Sequence, residues 1–225
     1  MSEKVFAVAI DGPAGAGKST IAKSLSKKLG VIYVDTGAMY RAMALYLIRE
    51  GVSASDAAAI SRKCNTADIS IRFENGEQQV VLNGENVNGF IRTEEVGNMA
   101  SSSSPNPDVR KKLVELQRKL ASEKSVVMDG RDIGTVVLPD AKVKIYLTAS
   151  SAVRAKRRYD ELTAKGETCD LAKIEADIIE RDHRDMSREI SPLKQADDAV
   201  LVDTSDMTID EVENRLMEIV RSKTE

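Results

Sequence analysis

The segment Gly12-Pro13-Ala14-Gly15-Ala16-Gly17-Lys18-Ser19 limits what this chain can fold into more than any other stretch. It follows the apolar run Val5 to Ile10 and opens a helical stretch, the setting in which the spacing G-x-x-x-x-G-K-[ST] has physical meaning. In such a turn successive backbone N–H groups converge on phosphate oxygens, and the helix behind them adds the positive end of its dipole. Lys18 is placed to reach β- and γ-phosphates, and the Ser19 hydroxyl to ligate Mg²⁺. Small residues at Ala14 and Ala16 keep the loop accessible. The competing reading is a glycine-rich turn from strand to helix that binds nothing.

Further short runs rich in Val and Ile read as buried strands: Val31 to Val34, Val126 to Asp129, Val143 to Leu147 and Ala199 to Asp203. Helical stretches separate them, so the expected class is α/β, a P-loop three-layer fold on a five-stranded parallel sheet. Ligands of such sheets bind beyond the carboxyl ends of the strands. Between the second and third strands, Ile69 to Val87 breaks the pattern. Asn75-Gly76 and Asn83-Gly84 punctuate alternating strands there, which predicts a small inserted antiparallel β subdomain. Helices are expected over Ser53 to Lys63 and Pro107 to Ser122, with the serines at Ser101 to Ser104 as a loop leading into the latter. A low-complexity linker is the alternative for that loop. A last helix opens on a Thr208/Glu211 capping box and has Ile209, Val212, Leu216, Ile219 and Val220 as its apolar face.

At 225 residues, with 42% apolar and 31% charged residues, the chain suits one core carrying an insertion. Its 33 Lys and Arg against 36 Asp and Glu leave a net charge of −3, so no global basic field points to nucleic acid or an anionic membrane. Aromatic residues at 4% supply few stacking platforms. Cys64 and Cys169 lie far apart and His183 is the single histidine. A disulfide framework or a Cys/His zinc site is therefore excluded, and a reducing cytoplasmic setting is expected. The apolar run at Val5 to Ile10 is too short for a signal peptide or a membrane span.

Asp129 ends the third strand, where a carboxylate beside a phosphate-binding loop can hold the metal directly or through water; alone it is equally a turn former. Arginines cluster in three places: Arg41 after the second strand, Arg131 after the third, and Arg154, Arg157 and Arg158 on one later helix. On the next helix Leu171, Ile174 and Ile178 form a stripe that continues as Arg181, Asp185 and Arg188. Buried charge is costly unless paired or bound by a ligand, so the stripe is expected to leave the core and face a polar cleft. The alternative is a helix end in water, laced by local ion pairs among Arg181, Asp182, Arg184, Asp185 and Arg188.

The blocks AIDGPAGAGKST (Ala9 to Thr20), YVDTGAMYRA (Tyr33 to Ala42), DGRDIGTVVLPDA (Asp129 to Ala141) and RDHRDMSREISPL (Arg181 to Leu193) together resemble the bacterial cytidylate kinases. These are P-loop nucleoside monophosphate kinases that phosphorylate CMP and dCMP. The likeness spans nearly the whole chain. It implies ATP contacts over Gly12, Pro13, Ala14, Gly15, Ala16, Gly17, Lys18, Ser19 and Thr20, with Mg²⁺ at Ser19 and Asp129. Arg41 and Arg131 would hold the acceptor phosphate, as planar guanidinium forks suit its oxygens. Thr36, Arg110, Asp132 and Arg188 would read cytosine, an aspartate being able to accept from its N4 amino group where uracil has no donor. Ser101, Arg181 and Asp185 would lie near the sugar.

The same resemblance makes about 37–122 the monophosphate-binding region, with the β insert at about 65–100, and about 151–168 a short lid. Lys18, Arg131, Arg157 and Arg158 would be the catalytic cations. For the three lid arginines the competing reading is a solvated basic face. His183 needs no catalytic role, because transfer between phosphates rests on positioning and charge stabilisation. Ser102-Ser103-Ser104-Pro105-Asn106 departs from the family's more apolar pattern after the serine equivalent to Ser101. The expected partners are ATP and CMP or dCMP, with no nucleic acid or membrane, for a monomer in the cytoplasm. A P-loop kinase for another small acceptor and a nucleotide-dependent switch are the rival classes.

Overall fold

The structure is a computed structural model and describes residues 5–224. Its parallel strands are β1 (Ala7–Asp11), β2 (Ile32–Asp35), β6 (Val126–Gly130), β7 (Val143–Thr148) and β8 (Val200–Asp203), five in the sheet order β2-β6-β1-β7-β8. The three-stranded antiparallel sheet is β3 (Ile69–Glu74), β4 (Glu77–Leu82) and β5 (Glu85–Asn86). The α/β class, the five parallel strands and the separate antiparallel insert all match the expectation from sequence. The chain divides into two compact bodies, residues 6–31 with 126–224, and residues 32–125 with Val5.

In the body formed by 6–31 and 126–224, β1 is central. Its register sets Ile10 against Asp129 on one side and against Ile145 on the other. Val8, Ala9 and Ile10 have no exposed surface, as expected of a strand flanked by parallel neighbours and covered on both faces. Helix α1 (Lys18–Leu29) follows the glycine loop and packs against α8 (Ile209–Thr224), to which the Lys28–Glu213 ion pair also ties it. The capping box forms: the Thr208 hydroxyl accepts from Glu211 N while the Glu211 carboxylate accepts from Thr208 N. Val212, Leu216, Ile219 and Val220 are buried, whereas Ile209 is 59% exposed. Ile209, the first residue of the helix, is therefore not part of the buried apolar face.

Two more helices complete this body, α6 (Ser151–Ala164) and α7 (Leu171–Ser187). A single π-helical turn spans Ile133–Val137, between β6 and β7.

The body formed by 32–125 contains β2, the insert and four helices: α2 (Thr36–Arg49), α3 (Ala57–Cys64), α4 (Glu94–Ser103) and α5 (Pro107–Glu123). Met39, Met43, Leu47, Val80, Leu82, Ile91 and Leu113 form its core. Both hairpin turns have left-handed backbone at each central residue, φ 52° and 77° at Asn75-Gly76 and 49° and 87° at Asn83-Gly84, as two-residue type I′ turns require.

Two sequence expectations are corrected in this body. The helix expected from Ser53 begins instead at Ala57, since the Asp56 carboxylate accepts from Ala59 N and caps it there. Ser101 to Ser103 are the last turn of α4 rather than a loop. Ser103 is buried because its hydroxyl donates to Met99 O one turn back, at 2.8 Å, so the serine run costs no unsatisfied polar group.

Candidate active site

The site begins, just after β1, with a residue that has no side chain. Gly12 leaves β1 at φ 149°, and a Cβ there would stand 1.9 Å from Leu147 O of β7. The chain can cross the end of β7 only as glycine. Beyond it the loop turns into α1 through Gly17, also left-handed, which offers no capping side chain to the helix. Helices α2 to α8 each start on one: Asp35, Asp56, Thr93, Asn106, Ser150, Asp170 and Thr208 accept from first-turn N–H groups. At α1 the first turn also lacks an acidic residue. The positive end of that helix is thus left for an external anion.

Lys18 is 6% exposed, and its Nζ donates to Pro13 O at 2.7 Å. Burial, with the neighbouring positive charge of Arg131, lowers its pKa to about 7 against the support of Asp129 and Asp11. Such a lysine lacks a full counter-charge, which a bound phosphate chain would supply. Beside it Ser19 is exposed and its hydroxyl donates to Asp129 Oδ2 at 2.9 Å. A hydroxyl and a carboxylate held together at the mouth of a phosphate cradle are the hard oxygen donors that suit Mg²⁺. Among the described residues no cluster of three or more His, Cys, Asp and Glu side chains could hold a metal ion.

Asp11, at the end of β1, is 4% exposed. Its two oxygens accept from Ile133 N and Gly134 N, each at 2.7 Å, and so fasten the π-helical turn that follows Asp132. Burial, opposed by those two bonds, pushes its carboxyl up to about 6. Gly134 allows this approach, as a Cβ would lie 3.2 Å from the Lys144 stem and 3.4 Å from Asp11 Oδ2. Asp132 itself is 4% exposed.

The charged stripe of α7 turns inward. Asp185, the buried residue of that helix, accepts from Arg131 Nε at 2.9 Å. Burial pushes its carboxyl up, but Arg131, by charge and hydrogen bond, with Arg181 and Arg188, holds it below the usual carboxylate value. Asp182 accepts from Arg154 Nη2 at 2.5 Å. The reading of α7 as a helix end with only local ion pairs is therefore wrong for both aspartates, whose partners lie on other elements. Arg184 keeps the local pattern, 3.7 Å from Glu180 in an exposed pair.

Arg154 does not share the exposed setting of Arg157 and Arg158. Its guanidinium is 5% exposed and donates to Ala149 O and Ala14 O, each at 2.9 Å, besides Asp182. Arg157 donates to Thr204 O at 2.7 Å and Arg158 pairs with Glu161 at 2.9 Å, both from exposed positions. Arg188, at the end of α7, donates to Ser191 O at 2.6 Å.

The body of 32–125 carries the remaining expected residues. Thr36 opens α2 and is 3% exposed. Arg41, one turn further, donates to Ile91 O at 3.2 Å, and Gly97 on α4 leaves it room, since a Cβ there would lie 3.1 Å from Nη1. Arg110 of α5 is buried and stands over the Tyr40 ring, 5.7 Å from its centre. Ser101 is half-buried in α4.

Sequence reading passed over Asp11, and over Gln78 and Arg92, whose side chains bond Asp35 at the β2–α2 corner. Asp11 did have a signal, a carboxylate at the end of an apolar central strand just ahead of the glycine loop. Gln78 and Arg92 had none, because their partner is a corner some forty or more residues away in sequence.

A glycine cradle at the carboxyl end of a parallel strand, backed by an uncapped helix, a buried lysine and a serine–aspartate pair, defines a P-loop nucleotide-binding protein. A profile of the family described as cytidylate kinase matches residues 8–222. The cytidylate kinase of Lactobacillus johnsonii is 52% identical over 216 residues, covering 96% of this chain and 94% of that protein. That of Carboxydothermus hydrogenoformans is 48% identical over 218 residues, covering 97% and 98%. A solved structure of an uncharacterized protein from Eubacterium ventriosum shares the fold at TM-score 0.52 and 14% identity, covering 97% of this chain and 99% of that one. The chain belongs to the cytidylate kinase family.

Proposed function

We propose that the chain transfers the γ-phosphoryl group of ATP to CMP or dCMP, giving ADP and the diphosphate. The observation that carries this reading is the uncapped start of α1 behind Gly12 to Gly17, with Lys18 buried against the loop and Ser19 on Asp129. Residues Gly12 to Thr20 take the triphosphate of ATP, their N–H groups and Lys18 facing the oxygens whose charge rises as the γ-phosphoryl leaves. Ser19 and Asp129 would hold Mg²⁺, which when bound neutralises charge on the phosphates.

Arg41 and Arg131 take the acceptor phosphate, one oxygen of which attacks the γ-phosphorus in line while ADP departs. No covalent enzyme intermediate forms, so the contribution of the protein is orientation and fixed charge. Thr36, Arg110, Asp132 and Arg188 read the base, and Ser101, Arg181 and Asp185 serve the sugar. Arg157 and Arg158 are lid cations that exchange their present partners for the phosphates during turnover. Residues about 37–122 form the acceptor-binding region, with the insert at about 65–100, and about 151–168 the lid. We read the protein as a cytoplasmic monomer whose partners are small molecules; its two free thiols suit a reducing compartment. Among the described residues no helix is long and apolar enough to cross a membrane.

The test is ADP production from Mg-ATP with CMP, dCMP, UMP, AMP or no acceptor. Rapid turnover confined to CMP and dCMP is expected. Activity with a different monophosphate would defeat the base-reading assignments, and slow acceptor-independent phosphate release would move the protein to a nucleotide switch.

A further inference from the structure

The β2–α2 corner carries two residues of the acceptor reading, Thr36 at the first position of α2 and Arg41 one turn on. The antiparallel insert grips this corner from outside. Gln78, on β4, uses one side-chain amide to satisfy both backbone groups of Asp35: its Oε1 accepts from Asp35 N at 2.8 Å, and its Nε2 donates to Asp35 O at 3.1 Å. That two-bond pattern is what a neighbouring strand would give Asp35, delivered instead by a side chain. Arg92 of the same inserted region donates to Asp35 Oδ2 at 2.5 Å, while Asp35 Oδ1 caps Ala38 N at 2.9 Å. Ile91 O receives Arg41 Nη1 at 3.2 Å. The last residue of β2 is thereby held through its N–H, its C=O and its carboxylate.

We propose that Gln78 is a positioning residue for acceptor specificity, and that the inserted sheet serves the kinase by setting, through Gln78, the corner from which Thr36 and Arg41 meet the monophosphate. The inference rests on the acceptor reading above for the roles of Thr36 and Arg41. In this role Gln78 acts through the backbone of Asp35. Gln79, the next residue on β4, is the natural control, because its Oε1 accepts only within the insert, from Asn86 at 2.6 Å and Asn88 at 3.2 Å.

The experiment compares the full-length wild type with Gln78→Met, Gln78→Glu and Gln79→Met by steady-state kinetics and by hydrogen exchange at the Asp35 amide. Gln78→Met keeps the length of the side chain and loses both bonds. Loss of two neutral hydrogen bonds at a specificity corner is expected to raise KM for CMP by about tenfold, with KM for ATP within about twofold of wild type. The Asp35 amide should exchange about tenfold faster or more. Gln78→Glu, which cannot donate to Asp35 O, should show the same split and serves if the methionine variant folds poorly. Gln79→Met should leave KM and Asp35 exchange unchanged. An unchanged KM for the preferred monophosphate in both Gln78 variants overturns the inference, whatever the exchange shows. An equal rise in both Michaelis constants does so too, because it marks general damage. Failure of the acceptor reading is seen separately, as wild-type enzyme that prefers a monophosphate other than CMP or dCMP.

Discussion

Asp185 Oδ2 and Arg131 Nε meet at 2.9 Å, joining the middle of the charged stripe on α7 to the residue that follows β6. The pair is nearly dry on the aspartate side and keeps some water on the arginine, with side chains 12% and 22% exposed. Replacing Asp185 by Asn should cost about 2 kcal/mol at pH 7, below the range for fully buried pairs because Arg131 retains solvent. The Asp185 carboxyl is held under its ordinary value of 3.8, so this stability is present above that pH and is lost as pH falls through the lower folded value. Chemical denaturation at pH 7 and at pH 3 tests the point. A gap between the two proteins that widens at acid pH would refute it.

Lys18 is the cation closest to the phosphate cradle by sequence and by burial. Lys18→Ala should reduce turnover with CMP by about 10²- to 10³-fold, the scale found for removing one preorganised group that stabilises transition-state charge. The unfolding midpoint should stay near that of wild type, since Lys18 carries a burial cost and a repulsion from Arg131. A coupled assay of ADP release and a thermal melt read the two quantities.

Asp132 is buried beside a backbone turn that cannot shift freely, because Asp11 holds Ile133 and Gly134. Asp132→Asn should narrow the ratio of kcat/KM for CMP over UMP by about 10-fold or more, as the amide can serve either base edge. A ratio equal to that of wild type would remove Asp132 from base reading.

For Asp11 the pH dependence has the opposite sign to that of Asp185. A carboxyl whose folded pKa is raised from 3.8 to about 6 binds its proton more tightly in the folded chain. Stability from this group is therefore full below pH 3.8 and is lost as pH rises through about 6. The stability of wild type minus that of Asp11→Asn should fall by the order of 3 kcal/mol between pH 4 and pH 7. Urea titrations of both proteins across that interval measure it, and a difference that does not vary with pH would contradict the burial seen for Asp11.

The parts of the fold that were legible in sequence are those fixed by local rules. Val126 to Gly130 and Val143 to Thr148 are strands because apolar runs must be buried on both faces, and Asn75-Gly76 makes a turn because its backbone is left-handed. The cradle was legible because Gly12 to Ser19 carry their chemistry in one continuous segment. What escaped depends on partners distant in sequence. The serines at 101–103 extend α4 since Ser103 can bond Met99 O, a choice decided by the burial around Met99 and Ala100. Position on one helix and the family resemblance group Arg154 with Arg157 and Arg158; only folding shows that its guanidinium bonds Ala149, Ala14 and Asp182. Gln78 is an ordinary strand residue until Asp35 is seen between its two amide atoms.

The glycines of the cradle answer to different constraints. A side chain at position 12 would run into the carbonyl of Leu147, whereas a Cβ at position 17 would meet nothing within 4 Å. Part of the nucleotide signature is thus a requirement of the scaffold. A descendant of this chain that had abandoned nucleotides altogether would still be obliged to keep Gly12 for as long as β1 and β7 remained neighbours. Drift in such a lineage should accumulate at Lys18 and Ser19 well before it reaches Gly12, so that decay of the signature, read position by position, would separate loss of chemistry from loss of architecture.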